Sequence, residues 1–128
     1  MGQNFETRVE KDVFYWKNSA NASDVSAAEA KKLADEAKSI LKKPEIKNFL
    51  IDNRNLKGVY KPEVNEVWAD LMKWVVENVE KNATITADVT LKMQLNRLSR
   101  ESNTYDKIRA FTDEKEALEF IGSTSFIF

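Results

Sequence analysis

The densest run of side chains able to do chemistry lies between Asp52 and Lys61. Asp52, Asn53, Arg54, Asn55, Tyr60 and Lys61 bring a carboxylate, a guanidinium, a phenol, an ammonium and two amides into ten residues. The run follows the apolar stretch IKNFLID (46–52) and ends at Pro62, which suits the first position of a helix. A loop that leaves a parallel strand at its carboxyl end and enters a helix is where open α/β sheets place ligands. Asp52, Asn53, Arg54, Tyr60 and Lys61 are therefore the candidate binding loop. Asp52 with Lys61 or Tyr60 is the only pairing there that suggests proton transfer. The competing reading is a solvated loop in which Asp52 fixes its own turn.

Other chemistry is closed off by what the chain lacks. It has no cysteine and no histidine, so disulfides, thiolate nucleophiles, Ser-His-Asp systems and the usual zinc ligands are all missing. Neither a catalytic residue nor a cofactor is expected. The stretch NRNLKG echoes a calcium loop at Asn53, Asn55 and Gly58, but Lys57 stands on a ligand position and Val64 replaces the bidentate glutamate. No metal site is expected. With three glycines in the chain, Gly58 belongs to no phosphate-cradling pattern.

Net charge is −1, with 32% charged and 42% hydrophobic residues. That balance describes a globular domain without the basic excess of a phosphate-backbone binder, so no nucleic acid partner is expected. Lys92, Arg97 and Arg100, like Arg54, Lys57 and Lys61, read as solvated charge. No apolar run is long enough to span a bilayer, and MGQNFETRVEK carries no signal-peptide core. The cytoplasm is the expected compartment, and the Asn-x-Ser/Thr triplets at Asn21 and Asn82 are taken as chance.

The elements that position the loop can be read from periodicity. FETRVE (5–10) and DVFYWK (12–17) form a hairpin about Lys11 and Asp12. Ser26 and Glu29 make a capping box, with Val25 and Ala30 as its staple. The helix they start carries Ala30, Leu33, Ala37, Ile40 and Leu41 and stops at Pro44. IKNFLID (46–52) is a central strand. A helix over 62–80 buries Val64, Val67, Trp68, Leu71, Val75 and Val79, while Met72, Trp74 and Val76 widen its apolar arc. That width reads either as deep burial or as a partner surface around Trp74 and Val76. A strand at 83–89, a helix with Leu91, Leu95 and Leu98, a strand at 107–111, and a helix capped by Asp113 and stopped by Gly122 complete the order β-β-α-β-α-β-α-β-α. Alternation after the hairpin implies one α/β domain over 1–128 with a mixed, mostly parallel sheet. The closing residues 123–128 leave Phe126, Ile127 and Phe128 after the last helix stop. They either fold back over a groove or edge, or dock on a second subunit.

That order resembles the STAS domain, the fold of bacterial anti-sigma-factor antagonists and of the cytoplasmic tails of sulfate transporters. The resemblance covers about residues 5–122 and rests on VFYWK, the helix entry DVSAAEAKKL, the strand and loop IKNFLIDNRNLKG, and FTDEKEALEFI. It is strongest to short bacterial STAS-like proteins often compared with lipid-transfer CRAL-TRIO domains. The resemblance implies a non-catalytic regulatory module that binds a protein partner. Antagonists of the family carry a phosphorylated Ser or Thr in an Asp-Ser-Ser/Thr-Gly motif after the central strand. Here Tyr60-Lys61-Pro62-Glu63 stands at that place, and no Ser or Thr occurs between Asp52 and Thr84. The usual switch is therefore not expected.

Two functions remain in view. One is protein interaction, with or without a homodimer, through the loop, Trp74, Val76, Phe126 and Phe128. The other is binding of an apolar or acyl ligand enclosed by the wide helix and the tail.

Overall fold

The computed structural model describes residues 5–57, 60–123 and 125–128. Its sheet runs in the order β1 (Phe5–Glu10), β2 (Val13–Asn18), β3 (Asn48–Asp52), β4 (Lys81–Ile85) and β5 (Ile108–Phe111). β1 pairs antiparallel with β2, and every later neighbour is parallel. The helices are α1 (Ala27–Leu41), α2 (Pro62–Asn78), α3 (Val89–Glu101) and α4 (Glu114–Ile121). The element order is the one read from the sequence, and the mixed, mostly parallel sheet agrees with it.

Strand alternation divides the core in two. Phe14, Trp16 and Phe49 point to the face covered by α1 and α2, while Val13, Tyr15, Leu50, Ala83 and Ile85 point to the face covered by α4. Successive right-handed crossovers that step along the sheet in one direction leave their helices on one side, so α1, α2 and α3 share a face. Among the described residues no strand follows α4, which lies over the opposite face. The caps are as expected: Ser26 Oγ accepts from the Glu29 N–H at 3.1 Å, an Asp113 oxygen accepts from the Glu116 N–H at 3.1 Å, and Gly122 takes the left-handed φ of 71° that ends α4.

One expectation needs correction. The strand expected at 83–89 occupies Lys81–Ile85 instead. Asp88 does not extend it, because its Oδ1 accepts from the Thr90 and Leu91 N–H groups and caps α3. Ala87, placed inward by alternation, is exposed. The leucines that mark α3 in the sequence do not face the sheet. Leu91 is 38% and Leu98 53% exposed, and the buried residues are Asn96 and Ser99. The reason is a backbone debt at the sheet edge. Asn96 Nδ2 donates to the Ala110 carbonyl at 3.0 Å and its Oδ1 accepts from the Ala110 N–H at 2.7 Å. One side chain thus supplies the donor and acceptor that a neighbouring strand would give. Docking by its amide leaves Leu95 and Leu98 turned sideways, toward α2.

Candidate binding site

The carboxyl ends of β2 and β3 are the natural place for a site, and they present different chemistry on the two faces. On the α4 face, Asp52 is 2% exposed and surrounded by donors. Its Oδ2 accepts from the Tyr15 hydroxyl at 2.8 Å and from Arg54 Nη2 at 2.9 Å, and its Oδ1 accepts from the Arg54 N–H and Nε at 3.1 and 3.0 Å. Arg54 also pairs with Glu114 at the start of α4. Burial pushes the Asp52 carboxyl up, but the hydrogen bonds from Arg54 and Tyr15 outweigh it and hold the group below the usual aspartate value. Burial and the bond to Asp52 push the Tyr15 phenol above the ordinary tyrosine range. A carboxylate with both oxygens engaged and a lowered pKa is a poor general base near neutrality.

The end of the chain closes this face. Phe126 is 7% exposed and lies 5.3 Å from the Tyr15 ring, with Phe128 at 5.8 Å. Two guanidiniums clamp the segment: Arg8 sits 4.9 Å from the Phe126 ring centre, and Arg54 5.2 Å from that of Phe128. Arg8 also donates to the Ile127 carbonyl at 2.6 Å, and Lys11 to Ser125 at 3.1 Å.

On the other face the core is incomplete. α1 packs closely on α2, but α2 and α3 stand apart, and a groove of about 760 Å³ opens between them. Its floor is Phe49, Ile51, Thr84, Ile108 and Ala110; Trp68, Leu71, Met72 and Val76 form one wall, and Leu95, Leu98 and Ser99 the other. The size is that of small-molecule pockets generally, and the lining is predominantly apolar as theirs are. At the strand carboxyl ends the groove meets Asn18, Asn53, Tyr60 and Asn65. The Trp16 indole donates to Asn18 Oδ1 at 2.8 Å, and the Asn18 amide donates in turn to Asn53. Tyr60 packs edge-on against Trp68 with ring centres 5.8 Å apart, and burial pushes its phenol up to about 12.

The structure thus divides the candidate residues. Asn53, Tyr60 and Val76 line the groove. Asp52, Arg54, Phe126 and Phe128 belong to the opposite face. Lys61 is exposed at the start of α2, and Trp74 is half-buried against the α1–α2 core. No single surface joins Trp74 and Val76 to the tail, and the tail does not enclose the groove. Asp52 is not assembled with Tyr60 either, since Tyr60 packs on α2 across the sheet. Gly58 lies outside the described residues. Among those residues no cluster of metal-ligating side chains occurs, and no helix is long and apolar enough to cross a membrane. Asn82 is 1% exposed within β4, so its triplet offers no acceptor on the folded surface.

Sequence reading missed three parts of this arrangement. Tyr15 alternates inward in VFYWK, and that alternation is the signal that could have paired it with the end of β3. The hold of Arg8 on the tail had no signal, because Phe126 and Ile127 lie more than a hundred positions away. The opposed walls of α2 and α3 could have been suspected from a leucine stripe on a helix whose inner side carries Asn96.

No family model matches the chain, and no curated protein does. Among solved structures it is similar to an uncharacterized protein of the DUF3478 family with a SpoIIAA-like fold from Shewanella loihica PV-4. That likeness has a TM-score of 0.66 at 16% identity and covers 91% of this chain and 90% of the other. The chain therefore has the SpoIIAA-like, or STAS, fold. A protein from Hyphomonas neptunium named for the enoyl-CoA hydratase/isomerase family matches at a TM-score of 0.48 and 11% identity, covering 98% and 75% of the two chains. That likeness carries no argument.

Proposed function

We propose that this chain is a non-catalytic binding domain whose ligand lies in the groove between α2 and α3 and is held there by an elongated apolar group. The observation that carries this reading is the pair of apolar walls that do not meet, over a floor of sheet residues. Filling such a groove removes apolar surface from water at about 25 cal/mol per Å². The Asp52 cluster supports the absence of catalysis, because its carboxylate is spent on Arg54 and Tyr15.

Trp16 and Trp68 line the groove, so tryptophan fluorescence is the readout. Titration with methyl laurate is expected to give a saturable change at one molecule per chain, lost in Leu98→Glu. A response that never saturates, or one that Leu98→Glu leaves intact, would overturn the assignment.

A protein partner is the second reading, favoured by the flank of α3 that points away from the groove. Val89 and Met93, one turn apart, are 57% and 64% exposed. A homodimer formed there would sediment at twice the monomer mass and revert to monomer in Met93→Glu. A monomer at all concentrations would remove the homodimer.

A further inference from the structure

The groove has one polar end, and its chemistry is one-sided. The side chains that meet there are Asn18, Asn53, Tyr60 and Asn65, with Trp68 packed on Tyr60, all uncharged. Trp68 Nε1 is buried with no hydrogen-bond partner, and among the described residues the Tyr60 hydroxyl makes none. With its phenol pushed up to about 12, Tyr60 stays a neutral donor at ordinary pH. An orphaned buried donor costs about 1–3 kcal/mol, and an acceptor delivered by a ligand would relieve that cost.

Among the described residues no cationic side chain lines this end of the groove; Lys61, next to Tyr60 in the chain, is exposed and is not among the lining residues. The cations lining the groove are Lys73 and Arg109. Arg109 is turned to the other face, where its guanidinium lies 3.9 Å from the Tyr105 ring centre and 4.6 Å from that of Phe120. Lys73 is exposed on α2, three turns into the helix from the polar end. The strongest cation near the strand ends, Arg54, is committed to Asp52 and Glu114 across the sheet. A carboxylate or phosphate entering among Asn53, Tyr60 and Trp68 would lose its water with only the partial charge at the start of α2 and no lining ammonium or guanidinium to offset it, which is costly.

We infer that the groove selects a neutral amphiphile: one apolar chain ending in an uncharged hydrogen-bond acceptor such as an ester or amide carbonyl, received by Tyr60, Trp68 and the neighbouring asparagines. This rests on the groove being the binding site and adds the class of head group.

The test compares lauric acid, its methyl ester and its amide, each titrated into the intact protein near neutral pH with tryptophan fluorescence as readout. The ester and amide are expected to bind about tenfold tighter than the carboxylate, a difference of about 1.4 kcal/mol. Tyr60→Phe and Trp68→Phe keep the aromatic rings and remove the donors. Each should weaken the ester by about threefold to tenfold, as one lost hydrogen bond does, while changing the carboxylate little, so that the preference narrows. If the carboxylate binds as well as the ester, or both variants weaken the two ligands equally, the head-group assignment is wrong while the groove stands. If none of the three compounds binds, the groove assignment itself falls and takes this one with it.

Discussion

The two faces of the sheet solve the same problem differently. On the α4 face, the buried carboxylate is fully partnered within the chain: Asp52 has Tyr15 and Arg54, Arg54 has Glu114, and the aromatic tail seals them under two guanidiniums. On the face of α1, α2 and α3, packing stops short, leaving a groove with apolar walls and an unpartnered indole N–H. A face whose volume is filled and whose carboxylate is engaged contributes stability and offers little to a ligand. A face with unfilled volume and spare donors gives up stability that binding can restore. Asp52 and Arg54, the charged pair that attracts attention in the sequence, therefore fall on the structural side, and the residues lining the groove's polar end are neutral.

Substitutions should separate the two faces, with large effects on stability from the closed face and small ones from the open face. The largest is expected from Phe126→Ala. Removing a 7% exposed ring packed on Tyr15 should cost about 3 kcal/mol in urea unfolding, the lower end for buried phenylalanine because the irregular segment after α4 can partly collapse. Methyl laurate binding should be unchanged when the protein is folded. Loss of binding in folded Phe126→Ala would show that the faces are coupled.

Asp52→Asn comes next, at about 2–3 kcal/mol, since it leaves Arg54 short of one charge and disturbs the Tyr15 bond. Its pH dependence sharpens the point. The folded carboxyl titrates below its unfolded value of about 3.9, so its stabilisation is complete above that pH and is lost as pH falls through the folded value. The stability gap between the native chain and Asp52→Asn should therefore narrow below about pH 4. A gap that stays constant with acidification would mean that Asp52 is held by shape and not by charge.

Asn96→Ala should cost about 2 kcal/mol, because the Ala110 N–H and carbonyl both lose their partner at a buried edge. It bears on the comparison directly, since α3 is both edge cover and groove wall. Hydrogen exchange at Ala110 should accelerate, and groove binding should weaken as the α3 wall loosens. Binding that survives an exchange-labile β5 would detach the two roles of α3.

Legibility followed the same division. Capping at Ser26 and Asp113, the Gly122 stop and the alternation of helices with strands are local signals, and each element they announce is present. The end of β4 was misplaced because Ala87 and Asp88 continue an alternating pattern that a helix cap interrupts, and the two signals overlap in sequence. Asp52 and Arg54 were legible as neighbours, but their face was not, since that depends on Tyr15, Glu114 and the tail arriving from afar. The groove was half legible. The width of the α2 arc pointed to it, but a leucine stripe on α3 reads as core until the Asn96 bonds show which side of the helix docks.

The smallest stability effect is the most telling. Leu98 is 53% exposed, so Leu98→Ser should change unfolding by no more than about 0.5 kcal/mol, the usual range for surface positions. A leucine in a finished core would cost about 2–5 kcal/mol when cut back. The same change removes apolar area from the groove wall, and methyl laurate should bind about threefold to tenfold more weakly if that side chain is covered on binding. In the presence of saturating methyl laurate, the cost of Leu98→Ser should therefore rise above its cost in the free protein, because the ligand stabilises the native chain more than the variant. If the cost is equal with and without ligand, Leu98 is ordinary exposed surface, and the open face is a packing defect without a use.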